Sequence, residues 1–430
     1  MRRAVKPAIV CSTLAMKELL RKGSIIILLG TGGVGKTTVA AALGIAAAKA
    51  GLNTAVITVD PARRLRDALG LDSLAGNPTP LSAEQLRAAG LAPDLRLSAM
   101  MLDVKGAWDA MAEQFAKDPA TRRRILENPF YKSLSTEFAG SEAYAALEKL
   151  YDLHQNGDFD IEIVDTPPAA HAFDFLQAPA RLIRLLDSRT ARWLFTPSLS
   201  AGRLAMKFAS QAARFVVREL ERFAGKGVLS TISDFFAAAS ETLDATVDRL
   251  RKTEALLRSP SAHFVLVTTA EEDRLRGAQE LIDEMRSERL GLGAIVLNRF
   301  LDEETWSEVM HDPTSPPRHL EGISALRASM KADISSDRGI KSVVDFLEEY
   351  RVRVLADIAR VDRYARELSG DVKLAVSPEI EVGISDLGAL ARIADFLTTP
   401  VGAFAAHARD AKAQSRAPGR RKAPRRRARR

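Results

Sequence analysis

Only one cysteine, Cys11, occurs in the 430 residues. A lone thiol closes no disulfide within the chain and forms no Cys-x-x-Cys metal clip, which excludes a disulfide-stapled scaffold and a cysteine-based zinc module. A cytoplasmic location suits that usage best. Long hydrophobic runs are missing as well. No apolar stretch reaches the roughly 18 residues that a membrane span requires; the nearest, the Ala-rich run after Lys36, opens on Lys-Thr-Thr. Arg2, Arg3 and Lys6 precede the apolar run AIVCSTLAM, but charge returns at Lys17 and Glu18 without a cleavage site. Residues 1–22 are therefore read as an ordinary N-terminal segment rather than a leader. Internal repeats are absent. Acid is absent from residues 411–430, which hold ten Lys and Arg, so the net charge of +7 belongs to this tail and the body is mildly acidic. From about residue 409 to 430 the composition is that of a disordered basic arm.

What is present is enough apolar material, 46% of the residues, for a substantial core. Short apolar runs recur between helical stretches: IIILL (25–29), TAVITV (54–59), the weaker LRLSAM (95–100), IEIV (161–164), FVLVT (264–268), AIVLN (294–298) and VKLAV (372–376). Nearly continuous hydrophobic strands alternating with helices are what a parallel sheet covered on both faces demands, so an α/β fold with a doubly wound, mostly parallel sheet is expected over 23–400. Two helical inserts without strand signals interrupt it, 104–157 and 180–259, the first with breaks near Asn128-Pro129 and Ala139-Gly140. The spacing of Val343, Leu347, Tyr350, Val354, Ile358, Val361 and Leu368 predicts a long helix over 340–368 with a core-facing stripe.

Chemistry enters at SIIILLGTGGVGKTTVAAAL (24–43). Gly30, Gly35, Lys36 and Thr37 satisfy G-x-x-x-x-G-K-[ST], the Walker A or P-loop pattern, between an expected strand and an expected helix. Glycines let backbone N–H groups converge on phosphates, and the helix offers its positive end. The loop residues Gly30, Thr31, Gly32, Gly33, Val34, Gly35, Lys36, Thr37 and Thr38 are thus candidates for nucleotide binding. Lys36 is expected on the β- and γ-phosphates of ATP and the Thr37 hydroxyl on Mg2+. Two acids end strands on the same sheet edge: Asp60 in VDPARRLRDALG and Asp165 in IVDTPPAAH. Asp165 is placed to hold the Mg2+ shell, directly or through water, and Asp60 to orient the attacking water. A capping role for either acid is the alternative, and Asp60 before Pro61 suits one.

GTGGVGKTT, then DPARRLRDALG, then FDIEIVDTPPAAHAFDFL resemble, in that order, the nucleotide loop and the two switches of the anion-transporting ATPase (ArsA) family, which includes arsenite-pump ATPases and ATPases that guide tail-anchored membrane proteins. NPFYKSLSTEFAGSEAYAALEKLYDLH (128–154), LNR (297–299) and SPE (377–379) extend the resemblance, which points to a bacterial branch of uncharacterised members. It implies adenine contacts at Asn298 and around Pro378, Asp60 as the water-orienting acid, helical inserts that form a client surface, and a homodimer or a heterodimer with a related ATPase. One departure stands out: the family's loop opens Lys-Gly-Gly, and Thr31 occupies the lysine's place. Threonine carries no charge to a partner's phosphates, which leaves Arg63 or Arg64 as replacements or as solvated switch residues. The arsenite-binding and zinc-bridging cysteines have no counterpart, so arsenite transport is disfavoured. His171 is open to two readings, a sensor of the γ-phosphate or a packing residue.

The inserts carry the remaining signals. Arg203, Lys207, Arg214, Arg218, Arg222 and Lys226 lie opposite Leu204, Phe208, Phe215, Val216 and Phe223, a pattern that fits a client- or membrane-facing helix or a solvated face over a core stripe. Phe236, Leu243, Val247, Leu250 and Leu257 continue the apolar side. Met100, Met101, Met111 and Met206 fit an adaptable apolar groove or ordinary core filling. The leading expectation is a dimeric Mg-ATP-driven conformational enzyme acting on a hydrophobic segment or membrane-associated partner. The alternative is a positioning or regulatory switch of the MinD/ParA kind, held on acidic lipid or nucleic acid by the basic tail. In either case the expected location is cytoplasmic, with peripheral membrane attachment as its variant.

Overall fold

The computed structural model describes residues 13–59, 64–74, 76–116, 118–136, 141–166, 243–301, 338–368, 372–380 and 387–398, with isolated residues at 177–183, 231–238 and 323. The first half contains α1 (Thr13–Leu19), β1 (Ser24–Leu29), α2 (Lys36–Lys49), β2 (Thr54–Thr58), α3 (Arg64–Ala68), β3 (Thr79–Pro80), α4 (Ala83–Ala88) and β4 (Leu97–Met101). Helices α5 (Val104–Phe115), α6 (Pro119–Glu127), α7 (Pro129–Thr136) and α8 (Ser141–Asn156) then precede β5 (Ile161–Asp165). After it come α9 (Leu243–Leu257), β6 (Ala262–Thr268), α10 (Glu272–Ser287), β7 (Leu292–Leu297), α11 (Arg338–Glu367), β8 (Leu374–Val376) and α12 (Leu387–Thr398).

One sheet of eight strands runs in the order β3-β4-β2-β5-β1-β6-β7-β8. Every pairing is parallel except that of the two-residue β3 with β4 at the edge. The mostly parallel, helix-covered sheet is the one the apolar runs imply; β3 is too short to leave a periodic signal and was not among the expected strands. In β1 both faces are sealed. Ile25, Ile27 and Leu29 enter one core while Ile26 and Leu28 enter the other. Alternation of side chains across a doubly covered strand requires apolar residues at every position, hence SIIILL.

Helix α2 fills the core on the second face, buried nearly all round. Its small residues let it lie close to the sheet: a Cβ on Gly44 would stand 2.5 Å from Val56 Cγ2. Helix α12 lies against it, and α1 packs on β7, β8 and α12 with Met16 fully buried, so packing begins upstream of residue 23.

The first face carries the inserts. Asn128 breaks α6 from α7 and accepts hydrogen bonds at Oδ1 from the N–H groups of Phe130 and Tyr131 (2.9 and 3.4 Å). The expected helical character of 104–157 is present in α5 to α8. Trp108 of α5 meets Tyr144 of α8 with ring centroids 4.7 Å apart, and Tyr131 of α7 stacks near Phe235 at 6.2 Å. Phe236, Val247, Leu250 and Leu257 are buried in the same core, which makes them packing residues; Met100 of β4 is buried in it as well. Arg249 of α9 inserts its guanidinium here, donating from Nε to Glu148 (2.6 Å) and from Nη2 to Asp152. In α11, Val354, Ile358 and Val361 are buried and Leu347, Tyr350 and Leu368 lean on the core. Val343 departs from the expected stripe: it is 57% exposed, Val344 being the inward residue of that turn, because no described element covers Val343. The segment 202–226, with its basic stripe, and the tail from 401 lie outside the described residues.

Candidate active site

The loop between β1 and α2 lies at the C-terminal edge of the parallel strands, where sheets of this kind bind ligands. Gly35 sits at φ +90°, a left-handed conformation that favours glycine, and a side chain there would collide with the Asn298 amide. A Cβ on Gly30 would collide with the Val267 carbonyl of β6. Strand ends on one side thus wedge the loop. Val34 is buried, Gly32 and Gly33 are exposed, and Thr31, Thr37 and Thr38 are half-buried. Lys36, only 7% exposed, folds its ammonium over the loop and donates to the carbonyls of Gly30 (2.9 Å) and Thr31 (3.4 Å). Those carbonyls hold the cation at the mouth of the loop, where phosphates bound by its N–H groups would meet it.

Two hydroxyls converge on a single carboxylate oxygen. Asp165, 1% exposed at the end of β5, accepts at Oδ2 from the Thr37 hydroxyl (2.7 Å) and from the Thr58 hydroxyl at the end of β2 (3.1 Å). The β2 and β5 registers place Thr58 directly opposite Asp165. The next residue, Thr166, donates to the Leu28 carbonyl at 2.5 Å and fastens β5 to β1. Hydroxyl and carboxylate oxygens are hard donors, and Mg2+ takes one or two protein oxygens while keeping water and phosphate oxygens. Thr37 and Asp165 fit that role. Among the described residues no group of three or more His, Cys, Asp or Glu forms a metal cage.

On the other side of the loop, Asn298 is buried after β7 and donates from Nδ2 to the Val34 carbonyl at 2.8 Å. Its neighbours Arg299 and Leu301 hold positive φ values of 54° and 63°, a strained path for non-glycine residues. Backbone bonds lace this turn to the end of β8: Ser377 N to Leu297 O (2.9 Å), Phe300 N to Ser377 O (2.9 Å) and Glu379 N to Leu301 O (2.6 Å). The LNR and SPE segments, far apart in sequence, thereby form one wall, with Pro378 buried in it.

The anion-transporting ATPase profile matches residues 23–312, which takes in the loop, Asp165 and Asn298. The chain belongs to the anion-transporting ATPase family. ATP hydrolysis is the reaction of that family. Among curated relatives, ATPase GET3 of Malassezia globosa is 25% identical over 283 residues, 66% of this chain and 74% of that protein. A putative arsenical pump-driving ATPase of Halobacterium salinarum is 29% identical over 151 residues, 35% of this chain and 23% of its own length. ATPase ARSA1 of Chlamydomonas reinhardtii is 24% identical over 292 residues, 64% of this chain and 35% of its own length. The chain therefore spans about three quarters of the first and about a third or less of the other two.

In this anion-transporting ATPase, Asp60, Arg63 and His171 lie outside the described residues. Arg64 opens α3 with an exposed side chain. The cation found against Thr31 is a different one, which the sequence reading missed: Arg274, in the first turn of α10, donates from Nη1 to the Thr31 hydroxyl at 3.1 Å. The only signal for it in the sequence was its place in the helix following a strand that neighbours β1. A cleft of about 350 Å3 between α5 and α8, lined by residues including Asp103, Met111, Glu148 and Lys149, shares no residue with the loop site.

Proposed function

We propose that the chain is a Mg2+-dependent ATPase that works as a dimer and couples nucleotide turnover to movement of its helical layer. The observation that carries this reading is the meeting of Thr37 and Thr58 on Asp165 beside the Lys36 ammonium. A buried carboxylate next to the P-loop hydroxyl gives Mg2+ two protein oxygens, and Lys36 supplies the charge for the β- and γ-phosphates. When bound, the ion would neutralise charge that develops on the phosphoryl oxygens. Asp60, which follows Val59 at the end of β2, orients the attacking water in this proposal. Asn298 and Pro378 take the adenine side, since their shared wall stands across the loop from Asp165. The ATPase domain runs over 23–400, with 104–157 and 180–259 as the helical inserts and 409–430 as the basic arm.

The client belongs to the finer part of the proposal. A hydrophobic segment or membrane-associated partner suits long helical inserts, and GET3 among the relatives spans a similar length. Arsenical cargo is not proposed, because soft arsenic(III) prefers thiolates and Cys11 is the only cysteine. Acidic lipid or nucleic acid suits the ten cations of residues 411–430, the feature that keeps a MinD/ParA-like positioning switch as the second reading, while the long helical inserts place it behind the first.

Phosphate release and sedimentation of the purified full chain test the proposal together. Turnover should require Mg2+, Lys36→Ala should abolish it, and Mg-ATP should shift the protein from monomer to twice that mass. Near-normal turnover in Lys36→Ala would overturn the nucleotide site, and hydrolysis with no change of mass would overturn the dimer.

A further inference from the structure

Two cations meet at Thr31. The Lys36 ammonium lies on its carbonyl at 3.4 Å and Arg274 Nη1 on its hydroxyl at 3.1 Å. The fold brings Arg274 there deliberately close. Thr268, the last residue of β6, donates its hydroxyl to the Arg274 carbonyl at 3.0 Å and fixes the first turn of α10. One turn on, Gly277 faces the same residue, and a Cβ there would touch Thr31 Cγ2 at 3.4 Å. Arg274 and Gly277, three apart, therefore present one face of α10 to the loop. Leu275 between them is buried and anchors the helix from the other side.

The guanidinium is not committed to a structural ion pair. Its acidic neighbour among the described residues is Glu271, with Nε 3.7 Å from a carboxylate whose side chain is 75% exposed, and the Arg274 side chain is itself 39% exposed. Water and salt screen such a contact strongly. A guanidinium has five N–H donors in a planar fork that matches a phosphate, and the bond to Thr31 uses one of them.

We propose that Arg274 is a further substrate-contacting residue, which turns from the Thr31 hydroxyl to the terminal phosphate of a nucleoside triphosphate held in the same chain's loop. The position along the nucleotide follows from Lys36. The P-loop lysine marks the β/γ end of the phosphate chain, and Arg274 lies against the same loop residue as that ammonium. Charge at this end distinguishes a triphosphate from a diphosphate and stabilises the oxygens on which charge accumulates during transfer. The inference rests on the nucleotide-site reading above and adds a residue that the motif does not contain.

Arg274→Gln keeps a donor for Thr31 and removes the charge, so it separates phosphate recognition from packing. Binding of Mg-ATPγS and of Mg-ADP to the full chain is measured by calorimetry, with Arg274→Lys and Lys36→Ala alongside. A charge-assisted hydrogen bond implies a loss of about tenfold or more in affinity for the triphosphate, with Mg-ADP affinity held within about twofold. Arg274→Lys should recover part of the triphosphate affinity, since it restores the charge without the fork. Equal losses for both nucleotides, or no loss for either, would overturn the proposal. Lys36→Ala separates the two levels: if it binds both nucleotides normally, the site reading fails; if it loses both while Arg274→Gln matches the wild type, only the role of Arg274 fails.

Discussion

The two layers that cover the sheet are built from different materials. On the α2 side, the buried cluster contains no aromatic residue among the described residues; it is Ala, Val, Leu and Ile, with Met16. On the insert side, the cluster holds Trp108, Tyr131, Tyr144, Phe235, Phe236, Phe264, Phe300 and Tyr364. Small side chains lose little rotamer freedom on burial and let backbones approach, so the helix behind the phosphate loop is positioned by the chain itself. Large rings need shaped cavities and bring polar handles with them. The insert side accordingly buries phenols, among them Tyr144, whose ionisation burial holds far above its ordinary range, and the Arg249–Glu148 pair. One layer fixes the place of the chemistry, and the other holds a network whose members depend on one another.

Four substitutions would break or sharpen this contrast. Asp165→Asn should have the largest effect on function, lowering turnover on the order of a hundredfold by weakening metal-assisted charge neutralisation. Steady-state assays across Mg2+ concentrations check it, and a shift of the Mg2+ requirement to higher concentration should accompany the loss. Trp108→Ala should have the largest effect on stability, about 3–5 kcal/mol, because it empties the centre of the aromatic layer. Denaturant unfolding measures it.

Arg249→Ala should cost about 3 kcal/mol by leaving Glu148 buried without its guanidinium. Its pH dependence is the sharper observation. Burial already raises the Glu148 carboxyl above its usual range, against the opposing pull of Arg249. A carboxyl whose folded-state pKa is raised contributes stability that is complete below its unfolded value and is lost as pH rises through the folded one. Removing Arg249 raises that value further, so the deficit should be smaller near about pH 5 than near about pH 8. A deficit independent of pH would point to lost packing on Tyr151, whose ring centre lies 4.1 Å from the guanidinium carbon.

Gly44→Ala should show the smallest effect. The added methyl meets Val56 Cγ2 at 2.5 Å and Leu97 Cδ1 at 3.3 Å. Overpacking of about 1–3 kcal/mol is offset by roughly 1 kcal/mol of helix propensity, which leaves a net loss of about 0–2 kcal/mol in thermal or denaturant unfolding. A stabilised variant would mean that the α2 layer has slack the structure does not display.

Legibility in the sequence follows the range of the interactions. The loop and Asp165 were readable because their signals are local: glycine spacing followed by Lys-Thr, and an apolar run that ends in acid. Asn298 and Pro378 came into view only through the family resemblance, since neither residue type announces the wall that their backbones build together. Arg274 left no motif, because what brings it to Thr31 is the approach of α10 to the phosphate loop, with Gly277 facing Thr31. Thr58 was likewise passed over within an apolar strand, although its register with Asp165 makes it a partner of that acid. The stripe on α11 was right where the sheet stands beneath it and wrong at Val343, where periodicity continues past its support.

The wedging of the phosphate loop has a thermodynamic consequence. With Gly30 against the Val267 carbonyl, Gly35 against Asn298, and the Asn298 amide bonded to the Val34 carbonyl, the seat has its shape before any ligand arrives. Immobilising a flexible loop spends part of the interaction energy on lost conformational freedom. Here that expense was met during folding, so nucleotide affinity should register as favourable heat with only a small change in heat capacity.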